Sequence, residues 1–410
     1  MLHLLTRNDE LRNASMPGLK VNTWTGRRNM FAATWILITI MTATVHAEPS
    51  QTPSEWTDAA SGFLPTPTSL FETTAKTVAH SETTPDFEDD IAVSIESSQI
   101  VPTIPGMPAM PQSLSADLRS DRFWLINTRH ITCNTCRMNL SQPKFRIDRL
   151  DRCGRRSPSN LDDYLSSMDS SRPRIIYVHG NRRDASTAIK QGLFVYQQLA
   201  RNRVTDQPMD WVIWSWPSDA NSIFLSDVRD KAQRTNSQGL YLAWLLREHT
   251  LRSQPSGLIG FSFGGRIVSG SLHALAGGSL GRRTIGEPAI TGANIDVGLL
   301  APAVDSTWMS SGGYHRLATQ NINRMVMLYN HRDIALKYFK LISTTPDAQA
   351  LGYTGPRCFA PRHDGTPLPI RARDCAQTVG NHHSEKRYYE HTCYAGREMA
   401  SLIDSVMHVD

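Results

Sequence analysis

Short apolar runs alternate with segments of helical spacing along the chain from about residue 116 onward. Runs of four to eight apolar residues bounded by polar or turn residues are typical of buried strands, whereas apolar residues at three- and four-residue intervals are typical of helices. Two early runs, at residues 122–129 and 144–150, are predicted to form an antiparallel pair. The later strands are predicted at residues 174–178, 211–216, 256–261, 295–301 and 325–329, with a short final strand before Gly380.

Helical spacing fills the intervals between the later runs. Apolar residues recur with this spacing from Ile189 to Leu199, residues 227–250 predict a longer helix, and residues 394–407 predict a closing one. Strands that are apolar throughout and are separated by helices favour a parallel sheet covered on both faces. We therefore predict an α/β fold over residues 116–410, with a mostly parallel sheet of about eight strands, helices on both faces and an antiparallel N-terminal start.

A serine stands between two glycines where one apolar run meets a helix. Gly260, Ser262 and Gly264 match the pattern G-x-S-x-G, in which a strand, a sharp turn and a helix expose a nucleophilic hydroxyl. Glycine has no Cβ, so the strand and the helix can approach closely around the turn. Counted from Phe123, the serine follows the fifth predicted strand. The pattern predicts Ser262 as a nucleophile, and a phosphate-binding or purely structural turn is the alternative.

Acyl transfer also requires N–H donors for the oxygen that becomes negative. The segment Val-His-Gly-Asn at 178–181 follows the third predicted strand, and the loop after that strand supplies one such donor in folds where G-x-S-x-G carries the nucleophile. Backbone N–H groups near Asn181 and at Phe263 are therefore predicted to form an oxyanion hole. The residues predicted to contact the substrate are His179, Gly180, Trp216 and Phe261.

The general base is expected late in the chain, because nucleophile, acid and histidine follow in that order in this arrangement. His383 is predicted to take the proton from the serine, and His382 is the alternative. Asp333, which follows the run at 325–329, is predicted to orient the imidazole and stabilise its charged form. Asp305 is the alternative acid. A helix N-cap is the alternative role for either aspartate.

Four further motifs accompany the serine, and together they carry a family resemblance. They are Val-His-Gly at 178–180, Ser-Trp-Pro-Ser at 215–218, Ala-Pro-x-x-Asp at 301–305 and Tyr-x-x-x-Asp-x-Ala-Leu at 329–336. With them, the chain resembles the α/β-hydrolase superfamily, and more narrowly an uncharacterised, largely bacterial family of α/β hydrolases. The resemblance implies a triad of Ser262, Asp333 and a late histidine. The sequence differs from that family at the turn that carries Ser262, where the family usually has Ala-His-Ser-Met-Gly and this chain has Gly-Phe-Ser-Phe-Gly.

The first 115 residues differ in composition from the rest of the chain. A basic flank precedes an apolar stretch at 30–45, and Val-His-Ala at 45–47 offers small residues for cleavage. Residues 1–47 are therefore predicted to be a signal peptide that exports the protein. An uncleaved N-terminal anchor is the alternative, and it would be the chain's membrane contact. Residues 48–115 are rich in Ser, Thr and Pro and are predicted to be a disordered linker, because they bury too little apolar surface to offset ordering entropy.

Net charge and cysteine content indicate which partners, disulfides and metal sites to expect. The net charge of +5 is modest and no long basic run is interleaved with aromatics, so no nucleic-acid partner is predicted. Six cysteines in an exported chain predict disulfides, and a bridge from Cys358 to Cys375 would close the loop near the proposed histidine. No metal or cofactor is predicted, since Cys133 and Cys136 have no clear second pair to complete a zinc site.

These features together predict an exported serine hydrolase. It would act on a small-molecule or lipid carboxylic ester through an acyl-enzyme, as an esterase or lipase does. Residues 308–314 are predicted to form a small flap rather than a large lid domain. The alternative is a hydrolase-fold protein that has lost turnover and serves as a binding or cell-surface module.

Overall fold

The structure is a computed structural model that describes residues 120–220, 225–343, 345 and 347–406. Both predicted N-terminal segments, the signal peptide (1–47) and the linker (48–115), lie outside these ranges. None of the helices within the ranges combines the length and the apolar character that crossing a bilayer requires.

A nine-stranded sheet forms the centre of the described part of the chain. Its strands are β1 Arg122–Asn127, β2 Arg146–Leu150, β3 Arg156–Ser159, β4 Arg174–Val178, β5 Asp210–Ser215, β6 Ser256–Phe261, β7 Ile295–Leu300, β8 Ile322–Tyr329 and β9 Ile370–Asp374. The helices are α1 Leu161–Ser166, α2 Ala185–Ala200, α3 Leu225–Leu251, α4 Phe263–Leu275, α5 Ile334–Lys337, α6 Leu351–Thr354, α7 Ala376–Val379, α8 Glu385–His391 and α9 Ala395–Val406. Short 3-10 turns cover Thr135–Arg137, Ala318–Asn321 and Phe339–Leu341.

The strands lie in the order β3-β2-β1-β5-β4-β6-β7-β8-β9. Every neighbouring pair is parallel except the two pairs that β2 makes with β1 and β3. Strands β4 to β7 are buried along their whole length, as a sheet covered on both faces requires. This is the α/β-hydrolase fold, and the predicted fold class is confirmed.

Helices cover opposite faces of the sheet. A Cβ on Gly265 of α4 would lie 3.5 Å from the Leu299 side chain, whereas a Cβ on Gly298 would lie 2.6 Å from the Leu402 side chain of α9. Successive residues of a strand point to opposite faces, so α4 and α9 lie on different sides of β7. Helix α3 packs against α4, and α2 packs against α9.

The ninth strand is the difference from the predicted sheet of about eight strands. Strand β3 has the sequence Arg-Ser-Pro-Ser, is mostly exposed and pairs only with β2 among the described strands. It carries no alternation of apolar residues, and proline is tolerated there because β3 is an edge strand. As a result Ser262 follows the sixth strand of the chain, and its predicted position after the fifth was wrong.

The predicted disulfides do not form: all six cysteines are free thiols. Cys375 is buried at the end of β9, where its Sγ lies 3.8 Å from the carbonyl oxygen of Arg373, while Cys358 and Cys393 are exposed. Burial raises the pKa of the Cys375 thiol to about 11, which keeps it protonated. Proximity along the sequence therefore did not bring these thiols together in space.

The first turn of α4 touches the end of β4, and only glycine fits at the contact. A Cβ on Gly264 would lie 2.0 Å from the backbone oxygen of Val178, whereas a Cβ on Gly312 would meet nothing within 4 Å. We expect Gly264→Ala to lower the free energy of unfolding by about 3 kcal/mol, because rigid backbone must move. We expect Gly312→Ala to change it by less than about 0.5 kcal/mol. Urea unfolding of both variants measures the difference, and equal midpoints would contradict the close packing of α4 on β4.

Candidate active site

Ser262 occupies a strained backbone conformation between β6 and α4. Its φ and ψ are 53° and −117°, in a region that residues with a side chain rarely adopt. Neighbouring backbone holds it there: the Ser262 N–H donates to the carbonyl of Leu300 at 3.0 Å, and the Ser262 carbonyl accepts from Ala303 at 3.1 Å and Gly265 at 3.0 Å. The strand-turn-helix geometry predicted from G-x-S-x-G is present.

His383 joins Ser262 to Asp333. Its Nε2 lies 2.8 Å from the Ser262 Oγ, and its Nδ1 lies 2.6 Å from the Asp333 Oδ2. Asp333 is completely buried, Ser262 is 6% exposed and the His383 side chain is 20% exposed. With the proton on Nδ1, the imidazole donates to the carboxylate and accepts from the hydroxyl, which is the arrangement that a serine nucleophile needs.

The two carboxylate oxygens of Asp333 have different partners. Its Oδ1 accepts a hydrogen bond from the Leu336 N–H at 3.0 Å and so caps α5, while its Oδ2 faces His383. The cap fixes the carboxylate, since one oxygen is held by the backbone and the other is left for the imidazole. The sequence offered the N-cap and the acid as alternatives for Asp333, and its two oxygens allow one side chain to serve as both.

The loop that carries His383 is tied to the loop that carries Asp333. The side-chain amide of Asn330 donates to the carbonyl of Gly380 at 2.8 Å, and the Ile334 N–H donates to the carbonyl of Asn381 at 3.2 Å. These bonds flank both functional side chains, so the separation of imidazole and carboxylate depends on backbone contacts.

The alternative base and the alternative acid make neither of the two hydrogen bonds that join the predicted nucleophile, base and acid. His382 is partly exposed, and burial together with the charges of Arg387 and His391 lowers its pKa. Asp305 bonds with its Oδ1 to the backbone N–H and the hydroxyl of Thr307, at 2.9 and 2.8 Å. The two hydrogen bonds of the imidazole therefore distinguish His383 and Asp333 from these alternatives.

The predicted oxyanion donors lie beside the nucleophile. Val178 pairs with Gly260, so the loop after β4 and the turn after β6 start at the same level of the sheet. A Cβ on Gly180 would lie 3.3 Å from the Cβ of Ser262, which shows how close the loop backbone passes. Phe263 is the first residue of α4, where helix N–H groups are free to bind a negative oxygen. Asn181 is next in the loop, and its side-chain oxygen is buried with no partner in the described part of the chain.

Two residues predicted to contact the substrate instead support the loop, so this part of the prediction is corrected. His179 and Trp216 are completely buried, with their rings stacked at 5.7 Å. The Trp216 backbone N–H donates to the His179 Nε2 at 3.3 Å, and its indole N–H donates to the His179 carbonyl at 2.9 Å. Burial lowers the pKa of His179 to about 3, so the ring is neutral: its Nδ1–H donates to the Gly180 carbonyl at 2.8 Å, and its Nε2 accepts from the Trp216 backbone N–H. Phe261 is 5% exposed, and its ring stacks on that of His383 at 5.1 Å.

Arg129 was not singled out in the sequence, although it joins three loops at this edge. Its guanidinium donates to the Ser215 hydroxyl at 2.9 Å, to the Arg183 carbonyl at 2.9 Å and to the Asp219 carboxylate at 2.7 Å. The loops that follow β1, β4 and β5 are thereby held together. An arginine at the end of a predicted strand carries no local signal of this role.

Glu385 is the second residue that the sequence did not reveal. It is buried two residues after His383, and its Oε2 accepts from the Tyr177 hydroxyl at 2.7 Å and from the Gln191 amide at 3.0 Å. Its Oε1 is buried with no partner among the described residues. Burial raises the pKa of Glu385 to about 7, against the opposing effects of its hydrogen bonds and of the nearby Arg183 and His383.

Comparison with known proteins gives distant likenesses. No protein-family model and no curated protein matches the chain. A Thermus thermophilus protein of known structure is similar at 11% identity and a TM-score of 0.34, covering 65% of this chain and 95% of its own. Esterase B from Lactobacillus rhamnosis, at 12% and 0.32, covers 72% of this chain and 92% of its own. Esterase 2 from Thermogutta terrifontis, at 10% and 0.27, covers 60% and 88%. At these identities and scores, the likenesses carry no conclusion about activity.

The buried carboxyl of Glu385 predicts a pH dependence of stability. Its pKa is higher in the folded chain than the ordinary value of 4.5, so the folded state holds the proton more tightly. Its contribution to stability is present below about pH 4.5 and is lost as the pH rises through 7. Between pH 5 and 8 we expect the unfolding free energy of the wild type to fall by roughly 2 kcal/mol relative to Glu385→Gln. Urea unfolding at both pH values measures this, and parallel profiles would contradict it.

Proposed function

We propose that the protein is a serine hydrolase that cleaves carboxylic esters through an acyl-enzyme on Ser262. The observation that supports the proposal most strongly is the pair of hydrogen bonds through which His383 joins the Ser262 hydroxyl, at 2.8 Å, to the Asp333 carboxylate, at 2.6 Å. A hydroxyl next to a neutral imidazole, itself oriented by a buried carboxylate, is an activated nucleophile.

In the first half of the reaction His383 acts as general base. Its Nε2 takes the hydroxyl proton while the Ser262 Oγ attacks the ester carbonyl, and Asp333 stabilises the imidazolium that results. The carbonyl oxygen becomes negative, and the N–H of Phe263 and a backbone N–H near Asn181 are the proposed donors to it. The C–O bond to the alcohol then breaks, and the alcohol leaves with the proton from His383.

In the second half water replaces the alcohol. His383 removes a proton from the water as it attacks the acyl carbonyl, the bond to the Ser262 Oγ breaks, and the serine recovers its proton from the imidazolium. The products are a carboxylic acid and an alcohol. The same three side chains serve both halves.

The surroundings of Ser262 favour small esters over long lipid chains or peptides. Ser262 and Phe261 retain only 6% and 5% of their exposure, and the Phe261 ring packs on the imidazole. A largely buried nucleophile beside an apolar ring suits a short acyl group. From the predicted signal peptide at residues 1–47, we further propose that the enzyme acts outside the cytoplasm.

A fluorophosphonate probe tests the nucleophile. We expect the intact protein to be labelled on Ser262, because the probe reacts with an activated serine hydroxyl, and we expect Ser262→Ala to take no label. His383→Gln should lower the labelling rate by about a thousandfold or more. His382→Gln is the matched control and should label as the wild type does. Folded protein that takes no label would favour the alternative of a catalytically silent binding module.

A series of p-nitrophenyl esters tests the acyl preference. We expect kcat/KM for the acetate or butyrate to exceed that for the palmitate by about tenfold or more, because Ser262 is largely buried beside the Phe261 ring. Steady-state rates below the aggregation limit of each ester provide the comparison. A kcat/KM that rises continuously with chain length would instead indicate a lipid acyl ester as substrate.

A further inference from the structure

Arg266 lies one helical turn beyond the nucleophile, close to the segment that follows β7. It is the fourth residue of α4, and side chains on a helix lean toward its N-terminus, which here is the end that carries Ser262. The segment after β7 touches the nucleophile directly, since the Ala303 N–H donates to the Ser262 carbonyl at 3.1 Å. Asp305 and Trp308 follow within the same segment. Arg266, Asp305 and Trp308 therefore belong to two segments that both adjoin the backbone of Ser262.

The charge of Arg266 is buried without an ion pair. The residue is only 9% exposed, and its guanidinium lies 4.4 Å from the centre of the Trp308 ring. Its Nε is a buried donor with no hydrogen-bond partner, and no carboxylate lies within ion-pair distance of it in the described part of the chain. Burial lowers the pKa of Arg266 to about 10, which leaves it charged at neutral pH. A buried cation with an unpaired donor destabilises the folded protein unless a ligand group pairs with that donor.

Within the described ranges, Asp305 has an unpaired acceptor that complements the unpaired donor of Arg266. It is 3% exposed, and while its Oδ1 is held by Thr307, its Oδ2 is buried with no partner among the described residues. Its carbonyl accepts from the Trp308 N–H at 3.0 Å, so Asp305 and Arg266 both adjoin the same tryptophan. The carboxylate acts electrostatically on the guanidinium, although the two groups form no direct ion pair.

The unpaired donor of Arg266 and the unpaired acceptor of Asp305 determine which ligand group could bind to both. A group that pairs with both must accept a hydrogen bond from Arg266 and donate one to Asp305. A hydroxyl does both. An anion would be repelled by Asp305, a cation would be repelled by Arg266, and an alkyl group would leave both polar atoms unpaired.

We propose that Arg266 and Asp305 form a subsite beside Ser262 that binds a hydroxyl group of the substrate, so that the enzyme acts preferentially on hydroxylated esters. This inference rests on the proposed function. The hydroxyl belongs either to the alcohol part, as in a polyol ester, or to the acyl part, as in a hydroxy acid ester. Trp308 forms the wall of the subsite, and so the predicted flap at 308–314 contributes to recognition.

Paired substrates test the subsite. One arm compares glyceryl monobutyrate with propyl butyrate, and the other compares ethyl 3-hydroxybutyrate with ethyl butyrate. We expect the wild type to prefer the hydroxylated ester in one arm by at least about tenfold in kcat/KM, since a hydrogen bond to a charged group is gained. The arm that shows the preference identifies the part of the substrate that carries the hydroxyl. Equal kcat/KM values in both arms would overturn the proposal without any variant.

Substitutions then assign the preference to these residues. We expect Asp305→Ala and Arg266→Met each to bring the ratio of the two kcat/KM values close to one, whereas Arg282→Gln, in an exposed loop, should leave it unchanged. A purely structural role would lower both values together and keep the ratio, and that result would also overturn the proposal. Asp305→Asn, which preserves shape, serves if the alanine variant fails to fold.

Fluorophosphonate labelling of the same preparations separates the two hypotheses. Protein that is labelled on Ser262 but shows no preference for a hydroxylated ester would refute the subsite and leave the serine hydrolase standing. Protein that is folded and takes no label would refute both.

Discussion

The backbone bend at Ser262 is the constraint on which the rest of the site depends. A residue with a side chain does not hold φ near 53° and ψ near −117° unless its surroundings impose them. Here β7 imposes them, through the carbonyl of Leu300 and the N–H of Ala303, and the first turn of α4 closes on β4 because Gly264 has no Cβ. The strain is thus balanced by contacts within the sheet. It directs one hydroxyl out of the turn toward an imidazole supplied by the far end of the chain.

The order of the strands explains why residues distant in sequence meet. β4, β6, β7 and β8 are adjacent and parallel, so the loops after them emerge at one edge. The loop after β4 brings Asn181, the turn after β6 brings Ser262 and Phe263, and the loop after β8 brings Asp333. The helix and loop after β9 return His383 to the same edge. Arg129 and the His179–Trp216 stack connect the loops that follow β1, β4 and β5. Buried polar groups, rather than substrate contacts, therefore set the shape of the site.

Most of this arrangement could be predicted from the sequence because its signals are local. Apolar runs revealed the parallel strands, and the glycines around Ser262 revealed the turn. Strand β3 was missed because Arg-Ser-Pro-Ser on an exposed edge has no apolar alternation. The sequence could not decide between His382 and His383, because adjacent loop residues differ only in where their side chains point. That orientation is set by hydrogen bonds from Asn330 and Ile334 to the loop backbone. Glu385, Arg129 and Arg266 act through contacts across the fold, and a single sequence carries no trace of such contacts.

The covalent intermediate tests the central claim most directly. Rapid mixing with p-nitrophenyl acetate, an acid quench and mass spectrometry of the peptides would locate any acyl group. The account predicts a mass increase of one acetyl group on the peptide that contains Ser262, formed as fast as p-nitrophenol is released. Turnover with the acetyl group on a different residue, or with none on Ser262, would contradict it.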